Sequence, residues 1–167
     1  MTHPLVLALF RDRGVAARAA AAVRGLGVDR ADLSVVSRSH HDESALAREV
    51  GATPGAEIEE SRVAARLGEL GGQILAAIAV VLPGIGPIVT AGPLAADFGE
   101  AAGHMAGGIA SVLARSGLPE ARAAQWQDRV RHGDVLLGVH VRHGEAAVIS
   151  NALQQQGADA VEVAEWH

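Results

Sequence analysis

The chain has 167 residues, of which 49% are hydrophobic and 20% charged, a balance that suits one domain with a real core and excludes a disordered chain. A net charge of −5 excludes the basic field that would hold nucleic acid, and the absence of Cys excludes disulfides, thiolate catalysis and Cys-based zinc sites. Only 2% of residues are aromatic against 20 glycines, so the apolar content is mainly Ala, Val and Leu, which favours close helix contacts over bulky cores.

Met1-Thr2-His3-Pro4 leads into LVLALF with no basic segment and no small-residue cleavage site, which points to a cytoplasmic protein. Residues 5–10 read as a buried strand, followed by a turn at Arg11-Asp12-Arg13-Gly14. Residues 15–24 form an Ala-rich helix, with Val15, Ala19, Ala22, Val23 and Leu26 at helical spacing and Gly25 and Gly27 able to end it. Residues 33–37 make a second strand, so 1–38 is a β-α-β half.

Residues 39–56 are a polar linker, whose His40-His41 pair beside Asp42 and Glu43 reads as an exposed loop. The insert at 57–117 is different. Residues 70–96 contain no charge, a length that would cross a bilayer as one helix, yet Pro83, Pro87 and Pro93 break it. A helical hairpin is the expectation. Its first arm, residues 58–82, carries an apolar seam at Val63, Leu67, Leu70, Ile74, Ile78 and Val81. PGIGP makes the bend. The second arm, residues 94–115, places Ala95, Gly99, Gly103, Gly107 and Ser111 every four residues, a glycine-zipper stripe that lets another helix approach closely.

Residues 118–167 repeat the first pattern. Leu118-Pro119-Glu120 opens a helix with Pro at the first helical position, Trp126 and Val130 share a face, and His132-Gly133 closes it. Residues 135–141 and 160–164 are strands around a helix at 145–156 that Gly157 ends. GVHVRHGEAAVISNALQQQGADAVEVA parallels LALFRDRGVAARAAAAVRGLGVDRADLSVV, with polar residues and then Gly after the first strand in each. The expected class is α+β: ferredoxin-like duplicated β-α-β halves forming one antiparallel sheet with helices on one side, interrupted by a Gly/Ala-rich helical hairpin.

The stretches PGIGPIVTAGPLAA, AGGIASVLARSGLPEARAAQWQDRVRHGDVLLGVHV and ALFRDRGVAARAAAAVRGLGVDRADLSVVSR resemble the bacterial heat-induced and general stress protein family, whose members often carry a hydrophobic Gly/Ala-rich insert. The likeness covers most of the chain outside the linker near His40, and its motifs are structural. It implies a stress-associated cytoplasmic protein and carries over no catalytic residue. The chain departs from the family pattern at Asp97, Glu100 and His104, where Ala and Gly are expected.

Those three residues, with Glu69 and Gln73, form the main chemical candidate. An antiparallel hairpin bent near Gly86-Pro87 sets Glu69 level with His104 and Gln73 level with Glu100. Carboxylates and imidazole on facing helices are the ligand set of di-iron and di-manganese bundles, although Glu100 and His104 are four apart where the usual motif has three. A solvated polar face opposite Leu94, Phe98, Met105 and Ile109 is the commoner origin of such a pattern. His140 and His143 could make a small site at a sheet edge, and a half-exposed strand histidine is the simpler account. No phosphate loop and no serine-nucleophile motif is present.

The sequence therefore leads to a non-enzymatic protein that forms homo-oligomers through an assembly face of Gly99, Gly103, Gly107, Ile74 and Ile78, with no cofactor. The alternative is an iron- or manganese-binding, ferroxidase-like protein using Glu69, Asp97, Glu100 and His104. Peripheral membrane contact through a tip at 80–90 is a third reading, opposed by the lack of basic residues there.

Overall fold

A computed structural model describes residues 2–38, 78–82, 85–102 and 108–166. Helix and sheet are mixed in the α+β manner. Among the described residues six strands form one antiparallel sheet in the order β3-β4-β2-β5-β1-β6, where β1 is His3–Phe10, β2 Leu33–Arg38, β3 Ile78–Leu82, β4 Gly86–Ala91, β5 Val135–His140 and β6 Ala160–Trp166. Five α-helices accompany it there: α1 (Arg13–Gly25), α2 (Leu94–Ala102), α3 (Ile109–Arg115), α4 (Glu120–Arg131) and α5 (Ala146–Gln155).

The first strand pairs with the last two. Leu5 lies opposite His140 of β5 and Ala164 of β6, and β2 lies against the other side of β5 with Leu33 opposite Val139. A run such as LVLALF, apolar at every position, makes sense only for a strand covered on both faces. Leu5 to Phe10 are indeed all buried.

Two cores result. On one face Val6, Ala8, Phe10, Val35, Leu137 and Val139 meet α1 and α5. Helix α1 presents Ala16, Ala17, Ala19, Ala20 and Val23, small side chains that let it lie close to the strands. Asp12 caps it by accepting the Val15 amide at 2.9 Å, and Gly27 leaves it at φ +102°. On the opposite face Leu5, Leu7, Leu9, Val36, Ile88 and Leu136 are covered by Leu94 and Phe98 of α2, Ile109, Val112 and Leu113 of α3, and Ala123, Trp126 and Val130 of α4.

Three expectations are corrected. The helices lie on both faces of the sheet, not one. The insert is not a helical hairpin throughout: 78–82 and 86–91 are the antiparallel strands β3 and β4, with Val80 opposite Ile88. Ile78, Val80 and Leu82 alternate as well as Ile74, Ile78 and Val81 step by three or four, and β-branched residues tip so short a run towards strand. Ile78 thus belongs to a strand, with Thr90 as its partner. Pro119 is the N-cap of α4 and not its first helical residue. No helix among the described residues is long and apolar enough to cross a membrane.

The passage from β4 into α2 is tight. Gly92 has φ +80°, and a Cβ placed there would stand 1.9 Å from the Leu33 carbonyl oxygen of β2. Both the conformation and the contact require glycine. Replacement of Gly92 by Ala forces backbone against backbone, so Gly92→Ala is expected to cost about 3 kcal/mol or more, read as a lowered urea midpoint against the parent chain.

Candidate functional site

One polar array interrupts the second core. The strand register brings His3 of β1, His140 of β5, Ser34 of β2 and Trp166 of β6 to one end of the sheet, on the face covered by α2 to α4. His3 is directly opposite Trp166, and Ser34 is opposite Gly138. Gly138 matters here because a side chain at that point would press within 3.3 Å of both Ser34 Cβ and Leu94 Cδ1. Its bareness lets α2 begin directly above the strands.

The hydrogen bonds run in a line. The Leu94 amide, at the start of α2, donates to Ser34 Oγ at 3.1 Å. Ser34 Oγ lies 3.1 Å from His140 Nε2, and His140 Nδ1 lies 3.0 Å from His3 Nε2. The tautomers follow from satisfying every hydrogen. Ser34 donates its hydroxyl proton to His140 Nε2, His140 donates from Nδ1 to His3 Nε2, and His3 keeps its own proton on Nδ1. Ser34 thereby serves as the cap of a helix 60 residues away in sequence.

His140 is only 6% exposed, on an interior strand of the sheet, which corrects the expectation of a half-exposed histidine at a sheet edge. Trp166 meets its ring edge-on at 5.2 Å between centroids. Burial, together with the neighbouring His3, pushes its pKa down to about 4. The ring is therefore neutral at physiological pH.

Ser34, His140 and His3 have the connectivity of a nucleophile, a base and an orienting group. Burial rules out that use. Ser34 is fully buried, its oxygen is taken by the Leu94 amide, and it does not line the adjoining cleft. The array fixes α2 to the sheet.

His3 and His140 do reach a cleft of about 970 Å³ at this end of the molecule. Its other polar walls include His143, Asp29, Asp32 and Glu145, and Leu26 and Val148 stand at it as exposed apolar side chains. Asp29 accepts the Ala31 amide, Glu145 accepts the Arg142 amide, and one ring nitrogen of His143, Nε2, lies 3.1 Å from the Thr2 carbonyl. The Asp29 and Glu145 walls are thus set by local turns, and His143 is tied to Thr2 at the start of the chain's first strand.

Of the residues singled out from sequence, His140 and His143 line this cleft, and the others fall elsewhere. Gly99, Asp97 and Glu100 are on α2, at the other side of the Leu94 cap. Glu69, Gln73, Ile74, Gly103, His104 and Gly107 lie outside the described residues, as do His40 and His41. Among the described residues no group of three or more His, Cys, Asp or Glu could hold a metal ion. The His3–His140–Ser34 array escapes sequence reasoning because its members are separated by 106 and 137 positions and share no local motif. One signal did exist. A histidine closing the apolar run VLLGVH belongs to a strand buried on both faces, so its ring needed partners.

The neutral buried ring makes stability depend on acid. Unfolding returns His140 to an ordinary pKa of 6.5, so between about pH 6.5 and pH 4 the unfolded chain binds more protons than the folded one. Stability is fully present above that window and falls through it, by roughly 3 kcal/mol for this one group. Urea unfolding at pH 7.5 and pH 4.5 is expected to show a smaller loss in His140→Gln than in the parent chain. Equal losses would show that His140 does not titrate as its burial requires.

Comparison with known proteins gives no relative to set beside this geometry: no family model, no curated protein and no solved structure matches the chain.

Proposed function

We propose that the chain is a non-catalytic, self-assembling protein whose association uses the outer edge of β3. The observation that carries this reading is the composition of the two sheet ends. Strand β3, IAVVL, closes the sheet beyond β4 with no charged residue and no proline. An apolar edge of that kind presents free backbone donors and acceptors and invites a further strand. The opposite edge, β6, carries Glu162 and Glu165, and Glu162 is held by Arg122 of α4. Charge of this sort discourages pairing. Only one edge is thus left open to addition among the described residues.

The occupant proposed is a second copy. Antiparallel pairing of β3 with its own copy about a twofold axis gives an isologous contact and a continuous sheet across two chains. Assembly would thus proceed by strand addition, in place of the helix zipper through Gly99, Gly103, Gly107, Ile74 and Ile78 that the spacing suggests.

The core that carries this edge is read as ferredoxin-like. Its order β6-β1-β5-β2, with α1 and α5 sharing one face, supports two related strand–helix–strand halves, and β3–β4 extends the free side of β2. Association with bacterial stress, and a cytoplasmic setting, rest on the likeness of the quoted stretches to the heat-induced and general stress proteins.

Light scattering on the purified chain at tens of micromolar is expected to give a mass of at least two copies. Placing lysines on the edge with Ala79→Lys and Val81→Lys should reduce that mass to one copy while circular dichroism stays unchanged. A parent chain that scatters as a monomer, or a folded double variant that remains associated, would overturn the reading.

A further inference from the structure

We propose that the line from His3 through His140 and Ser34 to the Leu94 amide is a proton-operated latch: one proton taken up by the histidine pair loosens the first turn of α2 from the sheet while the strands stay paired. This inference is independent of the assembly reading.

The latch follows from counting lone pairs. In the neutral line Ser34 Oγ accepts the Leu94 amide, His140 Nε2 accepts the Ser34 hydroxyl, and His3 Nε2 accepts from His140 Nδ1. No nitrogen of the line has a spare lone pair, so a further proton must displace one of these bonds. Placed on His140 Nε2, it takes the nitrogen to which Ser34 donates. Placed on His3 Nε2, it meets the hydrogen on His140 Nδ1, which gives way only by moving to Nε2. Both routes end with His140 Nε2 donating to Ser34 Oγ and with the Ser34 hydroxyl hydrogen deprived of its acceptor.

The closed structure accommodates that product badly. Ser34 is fully buried, so a hydroxyl hydrogen without an acceptor keeps its whole desolvation cost. The new positive charge stands two or three hydrogen bonds from the start of α2, where the aligned peptide dipoles already place partial positive charge. Counter-charge is lacking. The charged groups on the surrounding elements are Asp97 of α2, Arg115 of α3, Glu120 of α4, Arg122 of α4 paired with Glu162 of β6, and Glu165 of β6. Asp29 and Asp32 ahead of β2, and Arg142, His143 and Glu145 after β5, complete the ring. None of them is buried, and His140 is the one buried titratable side chain among the described residues. Burial first, and then His3, hold its pKa near 4 for these reasons.

Loosening the first turn of α2 removes both costs, because water then accepts from the Ser34 hydroxyl and solvates the ring. Among the described residues the Leu94 amide has no acceptor besides Ser34, so nothing else closes that turn by hydrogen bonding to the sheet. Phe98, one turn further on, stays in the core and holds the rest of α2. The strands keep their own ladders. The closed turn thus goes with the neutral pair and the open turn with the charged one. Opening is suppressed above the ordinary histidine value of 6.5 and grows as pH falls from there towards 4.

Amide hydrogen exchange by NMR on the full chain at pH 7.5 and pH 5.0, corrected for intrinsic rates, tests the latch; the lower pH lies above the ordinary carboxylate range. Protection of the Leu94 amide is expected to fall about tenfold or more on acidification and to be insensitive to dilute urea, as a local opening must be. The Leu137 amide of the interior strand β5 should remain the better protected at both pH values and should respond to urea. In His140→Gln the Leu94 amide should lose its pH dependence, in Ser34→Ala its protection should be low at both pH values, and in His143→Gln the fall should match the parent. Leu94 protection that is unchanged by pH, or that falls only with the urea-sensitive opening of Leu137, would overturn the proposal, as would an equal fall in folded His140→Gln. The first two outcomes are read on the parent chain, so they decide the matter if His140→Gln does not fold.

Discussion

Strands β1 and β5 have neither face open to water, and the described structure is arranged around keeping both faces covered. Leu5, Val6, Leu7, Leu9 and Phe10 are all fully buried, as are Val135, Leu136, Leu137 and Val139. Removing one such side chain from water contributes about 1.5–3 kcal/mol, so the five on β1 alone gain on the order of 10 kcal/mol gross. That matches the whole net stability of an ordinary domain. Neither layer of helices is therefore optional. The alanines of α1 bring one layer close, and Leu94, Phe98, Trp126 and their neighbours supply bulk in the other.

A polar array at the end of this slab needs justification in the same terms. An unpartnered imidazole or hydroxyl buried here would cost free energy, and each is instead satisfied by the next. The line from the Leu94 amide through Ser34 and His140 to His3 crosses from the buried helix start to the cleft wall. It ties three strands and a helix at one point. At the opposite end of the sheet the ties are ionic and exposed or half-buried: Asp159 binds Arg11 and Arg129, and Arg129 also reaches Asp134. The first kind fixes geometry in a dry environment. The second contributes little beyond guiding surface loops.

Much of the fold was legible because its signals are local. The Gly27 and Gly157 terminators and the helical spacing of Ala19, Val23 and Trp126 all name elements that exist. Layering was legible too. Strands apolar at every position, LVLALF and VLLGV, already imply cover on both faces, which a one-sided helix layer does not provide. Residues 78–82 were ambiguous on physical grounds, since five consecutive apolar residues satisfy either period. The need of His140 for a partner was legible, but which residues supply it was not. The distances in the array are set by strand register between segments more than a hundred residues apart, and no spacing in the chain encodes that.

The position of β1 has one last consequence. Its neighbours on both sides, β5 and β6, lie more than a hundred residues further along the chain. On a ribosome this apolar segment emerges more than a hundred residues ahead of both its partners. Until they follow, it lacks the two strands it pairs with, and such long-range closure is slow and prone to wrong contacts. A nascent chain of this design depends on whatever shelters the strand in that interval.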